Sequence, residues 1–251
     1  MNPADVVPTG DRTTSADVPG PLLASGMSAD VYALDDGRVL RRYREGRDTA
    51  YEVALLRHAR AAGFPAPEVH DATGSDIVME RLYGPTLLQA LAAEEVTIAD
   101  GAAMLADLHQ ALHEVPAPAV WPEPSHHDRL GIGGGPYLVH LDLHPGNVVL
   151  TEGGPVLVDW ANARSGTREL DVAVTAVVLA EVAVDAGGAY SQAARALLAA
   201  FLGWTDVSPA DGLVEAAAFR AADPILVPGE RELVPEAATL VRTLVELVKR
   251  D

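Results

Sequence analysis

The most chemically informative stretch of the chain runs from His140 to Asn147 and reads His-Leu-Asp-Leu-His-Pro-Gly-Asn. Its Asp142 and Asn147 are separated by a Pro-Gly pair, which predicts that both side chains project from one tight loop. A carboxylate in such a loop can orient a hydroxyl group and accept its proton, while an amide oxygen takes one position on Mg²⁺. Asp159 follows a predicted hairpin and can bridge the metal to phosphates. These residue types in this order predict phosphoryl transfer.

A metal-binding alternative uses the same stretch. If it formed an extended strand, His140, Asp142 and His144 would share one face, as in a site of two histidines and one carboxylate. The pair at 145–146 instead predicts that a loop begins there. Asp159 also has no role in such a site, so the sequence favours the phosphoryl-transfer interpretation.

A second histidine pair lies upstream, on a predicted helix. His109 and His113 have the i, i+4 spacing of a zinc-binding pair. The residues between them are Gln-Ala-Leu, without the glutamate of the HExxH pattern. We therefore expect these two histidines to pack in the core.

Residues 137–173 resemble the aminoglycoside phosphotransferase and choline kinase-like family, small-molecule kinases that share the protein-kinase fold. The His-x-Asp-Leu-His-Pro-Gly-Asn stretch, an apolar strand, Asp-Trp and then Asp-Val-Ala follow in the family's order and spacing. The resemblance extends over residues 21–251. It implies an α+β fold of two lobes, with a small β-rich N-terminal lobe and a larger, mainly helical C-terminal lobe.

The resemblance also implies a role for each motif residue. Asp142 corresponds to the catalytic carboxylate, and Asn147 and Asp159 correspond to the ligands of Mg²⁺. His140 would brace the catalytic loop through hydrogen bonds. Asp171 would accept hydrogen bonds from the backbone of that loop without touching substrate.

In the N-terminal lobe, the resemblance implies a phosphate loop at Ser25–Asp30, including Ser28, although this loop is poor in glycine. Arg41 stands where the family usually has lysine, so it would contact the phosphates and Glu52 would pair with it. Arginine is larger than lysine and is not interchangeable with it at a tight site. Strand alternation places Arg41 and Arg42 on opposite faces, and which of the two points inward stays open.

The stretch Met-Glu-Arg-Leu at 79–82 resembles the linker between the lobes, whose backbone hydrogen-bonds adenine. Glu80 and Leu82 are therefore predicted to contact the nucleotide. The implied cofactors are ATP and Mg²⁺, with the use of GTP left open. The implied partner is a small-molecule hydroxyl acceptor.

Hydrophobic periodicity, capping residues and turn signals predict the elements that position these residues. They predict three segments of chain: a tail (1–20), an N-terminal nucleotide lobe (21–82) and a C-terminal catalytic and substrate lobe (83–251). The predicted elements are a hairpin (30–43), a helix (48–62), short strands (68–71 and 76–81), a helix (97–113), a Pro/Gly/His-rich loop (115–136), a strand-rich segment (137–159) and four helices (169–186, 190–202, 208–222 and 230–249).

Composition and charge exclude several classes of protein. With 49% apolar residues the chain is expected to fold, and without cysteine it has no disulfides or thiolate sites. The net charge is −18, of which 14 negative charges fall in residues 82–251. This balance argues against nucleic acid or an anionic membrane as partner and favours a cationic acceptor. No signal-like or spanning apolar stretch is present, which predicts a cytoplasmic protein.

The alternative from another functional class is a nucleotide-binding pseudokinase or regulatory protein without turnover. It is motivated by Arg41 and by the glycine-poor phosphate loop. The sequence leaves the acceptor and the oligomeric state open.

Overall fold

The computed structural model describes residues 19–248, apart from 27, 45, 119, 121–133, 186, 225 and 228. Residues 1–18 of the predicted tail and most of the loop at 115–136 lie outside the described residues. No helix of the described part is long and apolar enough to cross a membrane.

The N-terminal part is an antiparallel five-stranded sheet with the strand order β1-β2-β3-β5-β4. Its strands are β1 (Leu22–Ser25), β2 (Ala29–Ala33), β3 (Arg38–Tyr43), β4 (Val69–Thr73) and β5 (Asp76–Glu80). Alternating apolar residues of the central strands, including Val39 and Ile77, are buried in a small core on one face. The hairpin of β2 and β3 matches the hairpin predicted over 30–43, and it begins one residue earlier.

Helix α1 (Ala50–Ala61) follows β3 and packs beside the sheet. The side chain of Asp48 accepts a hydrogen bond from the Ala50 amide (3.0 Å), which compensates one unpaired amide of the first turn. Gly63, with φ +91°, ends the helix in the left-handed conformation that glycine tolerates. The first turn places Glu52 against β3 in the buried interior.

The C-terminal part is built around one buried helix. Helix α4 (Arg168–Val184) is apolar on nearly all sides, and α5, α6 and α7 pack around it. The other helices of this part are α2 (Leu87–Ala92), α3 (Ile98–His113), α5 (Ala189–Trp204), α6 (Leu213–Ala221) and α7 (Glu230–Val248). Together they bury the larger of the two hydrophobic cores.

Two two-stranded antiparallel sheets accompany these helices, and the second of them is a hairpin. Strand β6 (Tyr137–Val139) pairs with β9 (Arg164–Gly166), and β7 (Val148–Thr151) pairs with β8 (Gly154–Leu157). The stretch from His140 to Asn147 lies between β6 and β7, and Asp159 follows β8. A β-rich N-terminal part followed by a mainly helical C-terminal part confirms the predicted fold class.

The structure differs from the predicted elements at four places. Strand β1, helix α2 and strand β9 were not predicted, because four, six and three residues are too short to show a clear period. The helix predicted over 208–222 is instead a 3₁₀ turn (Pro209–Asp211) followed by α6. Proline starts that turn, and Gly212 packs too closely against the Glu169 backbone for a side chain.

Candidate active site

A cavity of about 760 Å³ lies between the sheet and the helical part, and it collects the predicted site residues. Ten site residues are predicted from the sequence. Eight of them line this cavity, and a ninth, His140, contacts the lining residue Trp160. The eight that line the cavity are Ser28, Arg41, Glu52, Glu80, Leu82, Asp142, Asn147 and Asp159.

Arg41 points into this cavity and joins the two lobes. Its Nη1 donates to Glu52 Oε1 (3.2 Å) and its Nη2 to Asp159 Oδ1 (2.5 Å). The neighbouring Arg42 faces outward and pairs with Asp76. The choice that strand alternation left open is therefore settled: Arg41 is the inward arginine.

Glu52 is held from two sides in this buried cluster. Its second carboxylate oxygen accepts a hydrogen bond from the Tyr43 hydroxyl (2.6 Å). Burial raises the pKa of Glu52, while the charge of Arg41 opposes this. The guanidinium of Arg41 also lies 4.9 Å from the Tyr43 ring centroid, within the range of a cation–π contact. Tyr43 is a member of the cluster that the sequence analysis did not assign, and it lies two residues after Arg41 on the same face of β3.

Asp142 and Asn147 come together on the loop between β6 and β7. The Asn147 amide nitrogen donates to the Asp142 carbonyl (2.9 Å) and to the Asp142 carboxylate (3.1 Å). The Asn147 side chain forms its hydrogen bonds to the described residues through its nitrogen, so its oxygen Oδ1 is available to bind a cation. Burial, followed by the charge of Asp159, raises the pKa of Asp142 to about 8.

The loop between β6 and β7 is held in place by helix α4. Asp171 Oδ1 accepts hydrogen bonds from the amides of His140 (3.1 Å) and Leu141 (2.8 Å), the contact predicted for it. Leu141 has φ +58°, a conformation that costs a side-chain-bearing residue free energy and that these bonds help to hold. Burial opposes the charge of Asp171, but contacts with His109 and His113 keep its pKa well below the usual value.

The His140 side chain does not have the role predicted for it. Neither ring nitrogen has a hydrogen-bond partner among the described residues. The ring is fully buried and packs edge-on against Trp160, with 5.2 Å between centroids. Burial lowers its pKa to about 4, so the imidazole is neutral and acts by packing. Only its backbone amide takes part in holding the loop.

Asp159 reaches the cavity through an unusual backbone conformation. Its φ and ψ of 61° and 68° lie in the left-handed region, which turns the chain sharply after β8. Burial opposes ionisation, but Arg41 more than compensates and holds the pKa of Asp159 below its ordinary value. An ionised Asp159 carboxylate and the Asn147 amide oxygen, both on the wall of this cavity, are oxygen donors of the kind that Mg²⁺ prefers.

The other end of the cavity is apolar and suits a planar ring. Val31, Val39, Met79 and Val149 line it, beside the linker residues Glu80–Leu82. The Glu80 carboxylate accepts from the Glu68 amide (3.1 Å) and so holds the linker. The backbone amide of Leu82 has no hydrogen-bond partner among the described residues, which leaves it available to a ligand.

The opposite wall carries a charged cluster that the sequence analysis missed. Arg220 of α6 donates through Nε to Glu181 (3.1 Å) and through Nη1 to Asp223 (2.8 Å). Both Arg220 and Asp223 line the cavity, as does His144. The sequence carried no signal for this cluster, because its members come from α4, α6 and the turn after α6.

Of the two histidine sets considered as metal ligands, the structure brings only one together. His140 is buried beside Trp160, whereas His144 Nε2 lies 3.6 Å from Asp142 Oδ1, so these three side chains do not converge as a ligand set. His109, His113 and Asp171 do lie together, with donor atoms within 4.8 Å of one another. They form the one such group among the described residues, and all three are buried in the core, where the two histidines were expected to pack.

Comparison with known proteins places this geometry in context. The curated "Probable bifunctional tRNA threonylcarbamoyladenosine biosynthesis protein" of Methanoculleus marisnigri is 28% identical over 160 residues. The match covers 58% of this chain and 25% of that protein, so the chain spans about a quarter of that relative's length.

Two solved structures share the fold. A choline/ethanolamine kinase family protein from Mesorhizobium loti has a TM-score of 0.55 at 17% identity, covering 92% of this chain and 90% of its own. The ADP-bound aminoglycoside phosphotransferase APH(2'')-Ib has a TM-score of 0.54 at 15% identity, covering 90% and 93%. At these identities the likeness shows the fold, and it confirms the kinase-like architecture.

A family model described as "Phosphotransferase enzyme family" matches residues 20–131 and 124–209, which together exceed half of the chain. The matched region contains the Arg41–Glu52 pair, the loop from His140 to Asn147 and Asp159. The chain therefore belongs to the phosphotransferase enzyme family.

Proposed function

We propose that this phosphotransferase transfers the γ-phosphate of Mg·ATP to a hydroxyl group of a small molecule that bears an amine. The observation that carries the proposal is the convergence of three groups on one cavity: the Arg41–Glu52 pair, the Asp142–Asn147 loop and Asp159. They come from both lobes and from distant parts of the chain. Phosphoryl transfer depends mainly on positioning and on charge stabilisation, which such a convergence provides.

At the nucleotide end, the apolar walls would hold the adenine ring and the Leu82 amide would donate to it. Arg41 would contact the phosphates, fixed in direction by Glu52. The ADP-bound state of one structural relative supports nucleotide binding by this fold. GTP also presents an acceptor on its ring, so both nucleotides belong in the test.

At the reacting end, Asp142 would orient the acceptor hydroxyl and take its proton as the hydroxyl oxygen attacks the γ-phosphorus. The bond from the γ-phosphorus to the β,γ-bridging oxygen would break in the same step, and ADP would leave. Asn147 Oδ1 and the Asp159 carboxylate are the oxygens that would hold Mg²⁺. Bound Mg²⁺ neutralises charge on the phosphates during transfer. The transfer is direct and needs no covalent enzyme intermediate.

The acceptor would lie against Asp142, His144, Arg220 and Asp223. Asp142, Asp223 and the adjoining Glu181 outnumber the single guanidinium, so this wall is negative when the carboxylates are ionised. A negative wall in the more acidic lobe favours a substrate with an ammonium group. The structural relatives named for choline or ethanolamine and for aminoglycosides support the same class.

Two measurements test the proposal. Thermal shift with Mg·ATP and with Mg·GTP reports nucleotide binding. Transfer of labelled γ-phosphate is then followed across ethanolamine, choline, an aminoglycoside, a hydroxy acid and a neutral sugar. We expect transfer to one or more of the amines, and greatly reduced transfer in Asp142→Asn. Binding without transfer to any acceptor would favour the pseudokinase alternative.

A further inference from the structure

We propose that Thr175 and His109 form a second anchor of the catalytic loop, and that this anchor sets the rate of transfer by fixing the direction of Asp142. Both are positioning residues, since neither lines the cavity. The inference rests on the proposed function of Asp142. No motif of the sequence analysis pointed to Thr175.

The anchor acts on the residue directly after Asp142. Thr175 Oγ1 donates to the Leu143 carbonyl at 2.6 Å, and both groups are buried. Thr175 lies one helical turn after Asp171 on α4, so the two side chains share a face. Asp171 holds the amides of His140 and Leu141, just before Asp142. One face of α4 therefore fixes the loop backbone on both sides of Asp142.

The single proton of the Thr175 hydroxyl determines the role of His109 as a hydrogen-bond donor. A threonine hydroxyl has one proton, and here it goes to Leu143. His109 Nε2, at 2.9 Å from Thr175 Oγ1, must therefore be the donor in that contact. In a helix the threonine hydroxyl commonly bonds the carbonyl of its own preceding turn. The hydrogen bond from His109 leaves the proton directed at the loop instead.

His109 also lies beside the first anchor. Its Nδ1 is 3.3 Å from Asp171 Oδ2 without forming a hydrogen bond to it, whereas His113 Nε2 lies 2.9 Å from the same oxygen and does form one. The His109 ring is therefore packed against the Asp171 anchor and hydrogen-bonded to the Thr175 anchor. A loop with a strained Leu141 needs such fixed points, because it would otherwise relax toward a commoner backbone conformation.

The test compares two substitutions at one position. Thr175→Val keeps the shape and removes the hydroxyl, whereas Thr175→Ser keeps the hydroxyl. We expect Thr175→Val to lower kcat by about tenfold or more with KM for ATP within about twofold, since small misplacements of a reacting group cost this much. Thr175→Ser retains kcat within about twofold. Thr239→Val is the matched control, because the Thr239 hydroxyl bonds only its own helix at the Pro235 carbonyl.

A second pair of variants tests the histidine. His109→Gln can keep an N–H donor near Thr175, whereas His109→Leu cannot, so the glutamine variant should retain the higher kcat. Amide hydrogen exchange of residues 138–148 gives a readout independent of turnover. It should accelerate in Thr175→Val and His109→Leu, and stay at the wild-type rate in Thr175→Ser.

Three results would overturn the anchor. The first is that Thr175→Val keeps the wild-type kcat and the wild-type rate of amide hydrogen exchange. The second is that Thr175→Ser loses as much kcat as Thr175→Val, and the third is a stoichiometric transition metal bound by His109, His113 and Asp171 in the purified protein. Asp142→Asn is measured alongside. If Asp142→Asn keeps wild-type turnover, the proposed function fails; if it loses turnover while Thr175→Val does not, only the anchor fails.

Discussion

Arg41 shows how one side chain can carry both stability and function. It lies on β3, pairs with Glu52 on α1 and reaches Asp159 beyond β8. A lysine, as is usual in the family, presents a single ammonium. A guanidinium presents separate donors, and here Nη1 and Nη2 each bind a different carboxylate. The substitution is therefore compatible with the phosphate-contacting role and also bridges the lobes.

Replacing Arg41 should affect stability and ATP binding much more than replacing the neighbouring Arg42. Arg41→Met leaves Glu52 buried without its cationic partner, so we expect the free energy of unfolding to fall by about 3 kcal/mol. KM for ATP should rise by about tenfold. Arg42→Met is the matched control and should cost below about 1 kcal/mol, because the Arg42–Asp76 pair is exposed. Urea unfolding and initial rates check both, and equal effects of the two variants would refute the assignment.

His140 gives a prediction for pH. Its folded pKa of about 4 lies below the ordinary value near 6.5, because burial disfavours the charged ring. The unfolded chain therefore binds more protons than the folded one between these values. The stability from neutral His140 is complete above about pH 6.5 and is lost as pH falls toward 4.

His140→Leu removes this titration. Between pH 7 and pH 4.5, wild type should lose about 2 kcal/mol more unfolding free energy than the leucine variant, as measured by urea unfolding at each pH. Parallel stability curves for the two proteins would show that His140 is not held neutral by burial.

At the scale of elements, the linker between the lobes continues into residues 84–86, which join it to the hairpin of β7 and β8. The Leu150 amide of β7 donates to the Pro85 carbonyl (2.9 Å), and Thr86 forms a bridge with Val149. Gly84 makes this approach possible. Its φ is +145°, and a Cβ there would lie 1.8 Å from the Leu150 carbonyl oxygen.

Gly84→Ala should therefore destabilise the protein much more than Gly37→Ala. Gly37 also has a positive φ (+70°), but a Cβ there meets nothing within 4 Å. We expect a cost of about 1 kcal/mol at Gly37 from backbone strain alone. Gly84→Ala should lower Tm by at least twice as much, because the β7 backbone must also move. Similar Tm values for the two variants would contradict the close approach of linker and hairpin.

Local patterns predicted some elements and not others for physical reasons. Asp142 and Asn147 share one short loop, so sequence spacing alone brings them together. Alternation on β3 separated Arg41 from Arg42, but the inward face depends on what packs against the sheet. Arg220 and Asp223 reach the cavity through the packing of α6 on α4, which no local pattern encodes. His140 was assigned hydrogen bonds, whereas its neighbour Trp160 offers only packing.

At the scale of the whole molecule, the charge distribution predicts how salt affects the reaction. Fourteen of the 18 net negative charges fall in residues 82–251, the part that contains the proposed acceptor wall of Asp142, His144, Arg220 and Asp223. KM for an amine acceptor should rise several-fold between about 0.05 and 0.5 M NaCl, because salt screens the attraction. KM for a neutral hydroxyl acceptor should change little. Initial rates at constant Mg·ATP check this, and an equal rise for both acceptors would remove charge from the account of acceptor choice.

The central claim is that Asp142 directs the acceptor hydroxyl toward the γ-phosphate in a cavity that already holds the nucleotide. The most direct test is the turnover of Asp142→Asn beside its affinity for Mg·ATP. We predict that kcat falls by at least about a hundredfold, since a positioned general base contributes about this much, while the Kd for Mg·ATP stays within about threefold. Wild-type turnover in Asp142→Asn would contradict the account.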